Sequence, residues 1–398
     1  VSVTVTEIGG GATWFIRLYG ELPSGTTRTV SLAEGETAAG TRVFNVDPRL
    51  WPQPPRSVQL QLGVEGQPGA AVLFTEVAFP ESPARPNRQG VEPGQAGQRS
   101  IAAVDLMPSL PEPYRFTDWH AKALAYDRFV FDLDRAGEYL PLIWLERDAF
   151  NTKALTFGLP SYVGDSRSGP EHPGSQEGIT CMGAVLGAVL CGVDKQAGAH
   201  DYVAMCEAWF NTANGLDLVL NHTRQETGGS FWYEIWPHII FYALSDRSPG
   251  RPRLRQIVRR SAARWQQACQ DLAGADGVPN FDHTAFDFRS RKPVDNGLWR
   301  EPDAAAGVAW LQYAAWCAFG EPEFLQAASG CIAFLEAQSG NPYYEVLLPW
   351  GALAAARLNA EQGRTCDVDR LLQWCFGISD CRGGWGVTVG NWGGYDCD

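Results

Sequence analysis

The sequence predicts two architectures in series: an N-terminal β-sandwich, then an (α/α)n toroid of helical hairpins that reads as an incomplete (α/α)6 ring. Three observations carry this. Residues 1–80 alternate apolar and polar side chains in short runs between Gly- and Pro-rich turns. From residue 114 helical patterns come in pairs, one member apolar nearly all round and the other with a single apolar stripe. Short segments that mix carboxylates with large aromatics stand where the apolar members begin.

The runs VSVTVTEI, TWFIRLYGEL, RTVSLA, TRVFNV, SVQLQLGV and AAVLFTEVAF each have strand periodicity, and their spacing suits a sandwich over residues 1–80. Residues 81–113 are rich in Pro, Gly, Gln and Arg and read as a linker. The remainder, residues 114–398, reads as one helical domain. It opens with a helix over Tyr114–Asp132 and a loop-rich stretch, Asp134–Gln176.

The pairs follow. Gly178–Gly192 precedes His200–Phe210, and Phe231–Ser245 precedes Pro252–Leu272. Pro302–Gly320 precedes Pro322–Gln338, and Tyr343–Ala360 precedes Val368–Gly377. A helix apolar on every side must be surrounded by protein, and a one-stripe helix covers it from outside. Repeated inner-then-outer pairs close into a ring, with all inner helices running the same way. Their N-terminal ends then meet at one mouth, and Glu177, Glu234, Glu301, Asp303 and Glu345 converge there. Six hairpins need more chain than these four pairs, and GGWGVTVGNWGGYDCD begins another motif-like loop at residue 383, so the domain reads as truncated at its C-terminus.

Composition bounds the function. A chain of 398 residues with 45% hydrophobic and 19% charged residues can bury a large core. A net charge of −13 argues against nucleic acid and anionic membranes as partners. The longest apolar run, Ile179–Val193, is too short to span a bilayer. Val1 starts directly on a strand pattern, which reads as a mature form or excised fragment without a signal peptide. All ten cysteines follow residue 180; most sit in helical patterns as buried thiols, and a disulfide is favoured among the loop residues Cys366, Cys381 and Cys397. Asp282, His283 and Asp287 match no standard ligand spacing, so no metal is expected. No P-loop, nucleophile elbow or dinucleotide fingerprint occurs, and no cofactor is expected.

Four segments carry the chemistry: SQEGI (Ser175–Ile179), GSFWYEIWPH (Gly229–His238), DNGLWREPDAAAG (Asp295–Gly307) and NPYYEVLLPWG (Asn341–Gly351). Flat aromatic faces suit sugar rings, and paired carboxylates cut glycosidic bonds. Glu234 stands among Phe231, Trp232, Tyr233 and Trp236, which would desolvate it and raise its pKa as a general acid needs; otherwise it is a buried helix cap. Glu177 is a second acid, or simply a favourable charge at a helix start. Asp295, Glu301 and Asp303 form the densest acidic group, with Trp299 and Arg300 among them. Glu345 follows Tyr343 and Tyr344 and either binds hydroxyls or sits in an aromatic core. His238, one turn past Glu234, reads more simply as a satisfied core histidine than as a proton shuttle.

The stretches GEYLPLIWLE, FGLPSYVGD, GSFWYEIWPH, PVDNGLWREPDAAAG, NPYYEVLLPWGA and GWGVTVGNWGGYDC resemble the six-hairpin glycosidase-like superfamily of bacterial carbohydrate-active enzymes. The resemblance covers residues 115–398. It implies an (α/α)6 toroid behind a β-sandwich, a secreted or periplasmic protein, and an active site at the inner-helix N-terminal mouth. The function expected is a glycoside hydrolase acting on a neutral oligo- or polysaccharide by an inverting, two-carboxylate mechanism. Glu234 would be the acid, and the base would come from Glu177, Asp295, Glu301 or Glu345. Trp232, Tyr233, His238, Trp299, Asp303, Tyr343, Tyr344 and Trp392 would contact the sugar. One alternative is a polysaccharide lyase using Tyr233 or His238. The other is a glycan-binding protein without turnover.

Overall fold

The computed structural model describes residues 2–9, 12–21, 27–36, 39–43, 57–65, 71–78, 117–171, 176–297, 299–382, 390–392 and 395–397. The chain divides into two compact units, Val1–Arg85 and Pro86–Asp398. The expected linker, 81–113, lies outside the described residues, as does Tyr114 at the start of the expected first helix.

The first unit holds six strands where the alternation predicts them: β1 (Ser2–Gly9), β2 (Thr13–Glu21), β3 (Thr27–Glu36), β4 (Gly40–Val43), β5 (Ser57–Glu65) and β6 (Ala71–Ala78). They pair as two antiparallel three-stranded sheets, β4-β1-β6 and β3-β2-β5. On β2 the period of two puts Trp14, Ile16 and Leu18 on one buried face. Residues of both sheets share one apolar cluster: Val5 and Phe74 from the first, Trp14, Ile16, Leu60 and Leu62 from the second. Trp14 meets Phe74 edge-on at 6.2 Å.

The second unit mixes helices with small sheets. Helix α1 (Trp119–Val130) starts where the Asp118 carboxylate accepts the Ala121 N–H at 2.9 Å. The hairpin β7 (Trp144–Arg147) and β8 (Leu155–Gly158) precedes α2 (Gly178–Leu190). Then come α3 (Tyr202–Met205), a 3-10 turn over Cys206–Trp209, and the hairpin β9 (Phe210–Asn211) and β10 (Leu218–Val219). Helices α4 (Phe231–Asp246) and α5 (Pro252–Leu272) form the next pair. The hairpin β11 (Ala285–Asp287) and β12 (Lys292–Val294) leads to α6 (Ala304–Phe319) and α7 (Pro322–Glu336). Helices α8 (Leu348–Gln362) and α9 (Val368–Cys375) follow, and β13 (Gly390–Trp392) pairs with β14 (Tyr395–Cys397).

Packing separates inner from outer members. In α6 every residue from Ala304 to Trp316 except Trp310 is buried. In α5 the buried positions, Leu254, Ile257, Val258, Ser261, Ala262, Trp265, Ala268, Cys269 and Leu272, form one stripe. Helices α2, α4, α6 and α8 lie side by side in that order. Contacts fix their direction. A Cβ on Gly307 of α6 would stand 2.7 Å from Ile235 of α4, and the Tyr242 hydroxyl near the other end of α4 donates to the Ala314 carbonyl at 3.0 Å. A Cβ on Gly351 of α8 would stand 2.6 Å from the Ala306 Cβ. These three helices are therefore parallel, with level N-terminal ends.

Three expectations change. His200–Phe210 is not a single outer helix: it breaks into α3, the 3-10 turn and β9, because Trp209 turns in against Gly178 and Asn211 pairs into the β9–β10 hairpin. Helix α2, the most apolar, is not enclosed; Leu190 is 57% exposed, and Thr180, Ala184 and Gly187 border a cavity of about 410 Å³ shared with α1 and the 159–163 loop. Helix α2 stands at one end of the row, so only α4 flanks it as an inner neighbour. Among the described residues the cysteines, including Cys366 and Cys381, are free thiols, and the side chain of Cys397 lies outside them.

Gly351→Ala would press a methyl group onto the Ala306 Cβ and Cα and force α6 and α8 apart. Urea unfolding should show a loss of about 1–3 kcal/mol. Gly187→Ala, whose Cβ meets nothing within 4 Å, should instead stabilise by roughly 0.5–1 kcal/mol.

Candidate functional site

Each inner helix starts with backbone N–H groups that its own turns cannot satisfy. Neighbouring loops supply the acceptors. At α2, Asn221 accepts Gly178 N–H on its carbonyl at 2.5 Å and Ile179 N–H on Oδ1 at 3.1 Å. At α4, the Glu301 carboxylate accepts Trp232 N–H at 2.8 Å and the Ser230 hydroxyl at 2.8 and 3.0 Å. At α8, Asp303 accepts Glu345 N–H at 3.2 Å, with Tyr344 and Leu347 N–H also on its carboxylate. Glu301 and Asp303 thus bind the helix starts on either side of α6.

Glu234 has a similar task. Its Oε1 accepts Gly228 N–H at 2.7 Å and Gly229 N–H at 3.3 Å, and Phe286 N–H adds a third amide. It is 0% exposed. Glu234, expected as the acid, holds the loop before α4 through Oε1, and its carboxyl is enclosed. The aromatic neighbours that suggested desolvation do desolvate it, but they also seal it.

Burial dominates the electrostatics of these acids. It pushes Glu234 and Glu301 up to about 8 and Asp303 up to about 7, with amide hydrogen bonds opposing it. The three carboxyls are neutral or partly so near pH 7. His238 is 1% exposed, among the described residues no atom bonds either ring nitrogen, and burial pushes its pKa down to about 3. It is a neutral core residue, placed neither to touch a sugar nor to shuttle a proton. It is also not the hydrogen-bonded core histidine expected.

Other candidates stand at the edge. The Tyr233 side chain is exposed beside Trp232, the rings meeting edge-on at 4.8 Å. Burial of its base raises the phenol first, then Glu177 and Glu345 add, Arg167 opposes, and Glu301 adds. One hydroxyl thus feels acids from the starts of α2, α6 and α8. Glu177 accepts the Ser161 hydroxyl at 2.8 Å. Glu345 pairs with Arg382, both side chains about a quarter exposed. Trp299, 39% exposed, leans on Tyr344 at 6.3 Å, and the Arg382 guanidinium lies 4.4 Å from the Tyr344 ring. Tyr344 is buried at 5% exposure, so it supports this platform and presents no free face; Tyr343 is half-buried.

Asp295 lies on the outer side of this loop. It faces His283 Nδ1 at 3.3 Å and Arg300 at 3.7 Å, in an ion-pair cluster with Asp282. Trp392 falls in β13, but its side chain lies outside the described residues. Sequence reasoning missed Ser161, Arg167 and Arg382. Each is a single polar residue in a loop, and no spacing marks it.

Comparison of the chain with protein-family models, with curated proteins and with solved structures gives no match.

The raised acids set a pH dependence. Their folded pKa values lie above the ordinary 4.5 or 3.8, so the native state keeps protons that the unfolded chain releases. The stabilisation is complete below about pH 4 and falls as pH rises toward 8. Thermal melts should show a midpoint that declines between pH 5 and 8, with a shallower decline in Glu234→Gln.

Proposed function

We propose that the second unit is an arc of an α/α toroid, that the first is a β-sandwich, and that the protein is a glycoside hydrolase acting on a neutral oligo- or polysaccharide. The reading keeps the likeness to six-hairpin glycosidases and, with it, a secreted or periplasmic setting. The single observation that carries it is the exposed Tyr233, whose phenol is raised first by burial and then by the charges of Glu177, Glu345 and Glu301. Carboxylates beside open aromatic faces are the equipment of glycosidic cleavage.

Depth selects the working pair. Glu234, Glu301 and Asp303 are enclosed, and each accepts at least one backbone amide, Glu301 the Ser230 hydroxyl as well. Glu177 and Glu345 stay partly open, and the charge of each acts on Tyr233. In this mechanism Glu177 protonates the leaving glycosidic oxygen, with the Ser161 hydroxyl holding its carboxyl. Glu345, oriented by Arg382, takes a proton from the water that attacks the anomeric carbon from the opposite face. Tyr233 and Trp299 carry the sugar rings. The lyase reading is weaker: acids around Tyr233 disfavour its phenolate, and His238 is enclosed.

The test is a panel of neutral polysaccharides incubated with the full chain, with reducing ends measured. Glu177→Gln and Glu345→Gln should each lose about 10²–10⁴-fold in rate. Asp295→Asn should stay within a few-fold of the parent. Hydrolysis undiminished in both glutamine variants would remove this pair. Binding of the same glycans with no product from the parent protein would favour the glycan-binding alternative.

A further inference from the structure

Two thiols that the sequence places in separate helices meet in the core. Cys269 near the end of α5 and Cys331 in α7 bring their Sγ atoms to 3.7 Å. They are 4% and 0% exposed. Small buried neighbours let the two outer helices approach: Ala268 on α5, and Ala327 and Ala328 on α7. Gly330, next to Cys331, lies so close to the Pro279 ring that a Cβ there would be 3.0 Å from it. Neither sulfur belongs to the rim around Tyr233, so the pair is independent of the glycan reading.

We propose that Cys269 and Cys331 form a disulfide when the chain folds in an oxidising compartment, clamping α5 to α7. The oxidant is a disulfide such as glutathione disulfide. One cysteine thiolate attacks it, forms a mixed disulfide and releases one glutathione thiolate. The second cysteine thiolate then attacks the protein sulfur of that mixed disulfide, closes the S–S bond and releases the other glutathione. The two thiol protons end on the two glutathiones, and two electrons pass from the protein sulfurs to the oxidant. Burial raises the Cys331 thiol far above its ordinary range, so thiolate is scarce in the finished core. The exchange therefore belongs to folding, before α5 and α7 close, and the product is then shielded from reductants. The bridge would span 62 positions of chain and limit the unfolded ensemble accordingly.

Refolding the full chain in mixed oxidised and reduced glutathione tests this. Free thiols are then alkylated with iodoacetamide under denaturing conditions, and the unreduced digest is mapped by mass spectrometry. The expected product is one peptide pair joined through Cys269 and Cys331 that separates on reduction. The thermal midpoint should lie several degrees above that of the same protein refolded in reductant, and Cys269→Ala should abolish both effects. Finding both residues alkylated in folded, oxidatively refolded protein, or either one joined to another cysteine, overturns the proposal. Should Cys269→Ala fail to fold, the map of the unsubstituted chain decides.

Discussion

The second unit depends on acids that face helix N-termini from the side. Glu301 and Asp303 flank Pro302 just before α6 and reach in opposite directions, one to the start of α4 and the other to the start of α8. The N-terminal N–H groups of a helix have no partners within it and carry partial positive charge. A carboxyl group from a neighbouring loop satisfies both conditions. This interaction sets the level at which parallel helices start, and hence the plane of the rim.

Close packing makes the arrangement possible. Ala304, Ala305, Ala306 and Gly307 follow Asp303 directly, and Gly351 faces Ala306. With little side-chain volume between the axes, a short acid can span from one helix start to the next. Burial then works against the charge of these acids. The amides offset part of that cost, and a retained proton removes the rest. The same residue type therefore has two roles at two depths. Enclosed carboxyls hold the backbone, while Glu177 and Glu345 stay partly exposed beside Ser161 and Arg382. The short hairpins β7–β8, β9–β10 and β11–β12 come before α2, α4 and α6 in the chain.

Much of this architecture was legible in local pattern. The period of two on Trp14, Ile16 and Leu18 marked a strand with one buried face. The stripe from Leu254 to Leu272 marked α5 as an outer helix, and the apolar girth of Ala304–Trp316 marked α6 as an inner one. The hairpins escaped notice because strands of two to four residues are too short to show alternation. The break in His200–Phe210 escaped because its composition suits a helix and only the contact of Trp209 with Gly178 and the pairing of Asn211 decide otherwise.

The sequence by itself determined the long strands of the first unit, the helices α4 to α9, and which acids stand near helix starts, because these follow from periodicity within one segment. Depth was decided by the tertiary structure alone. Glu234 and Glu177 look equivalent as acids beside apolar helices, yet one is sealed by the amides of Gly228, Gly229 and Phe286 and the other lies open beside Ser161. Whether a carboxyl binds its own scaffold or faces outward depends on which distant loop lies over it, and that is a property of packing between segments.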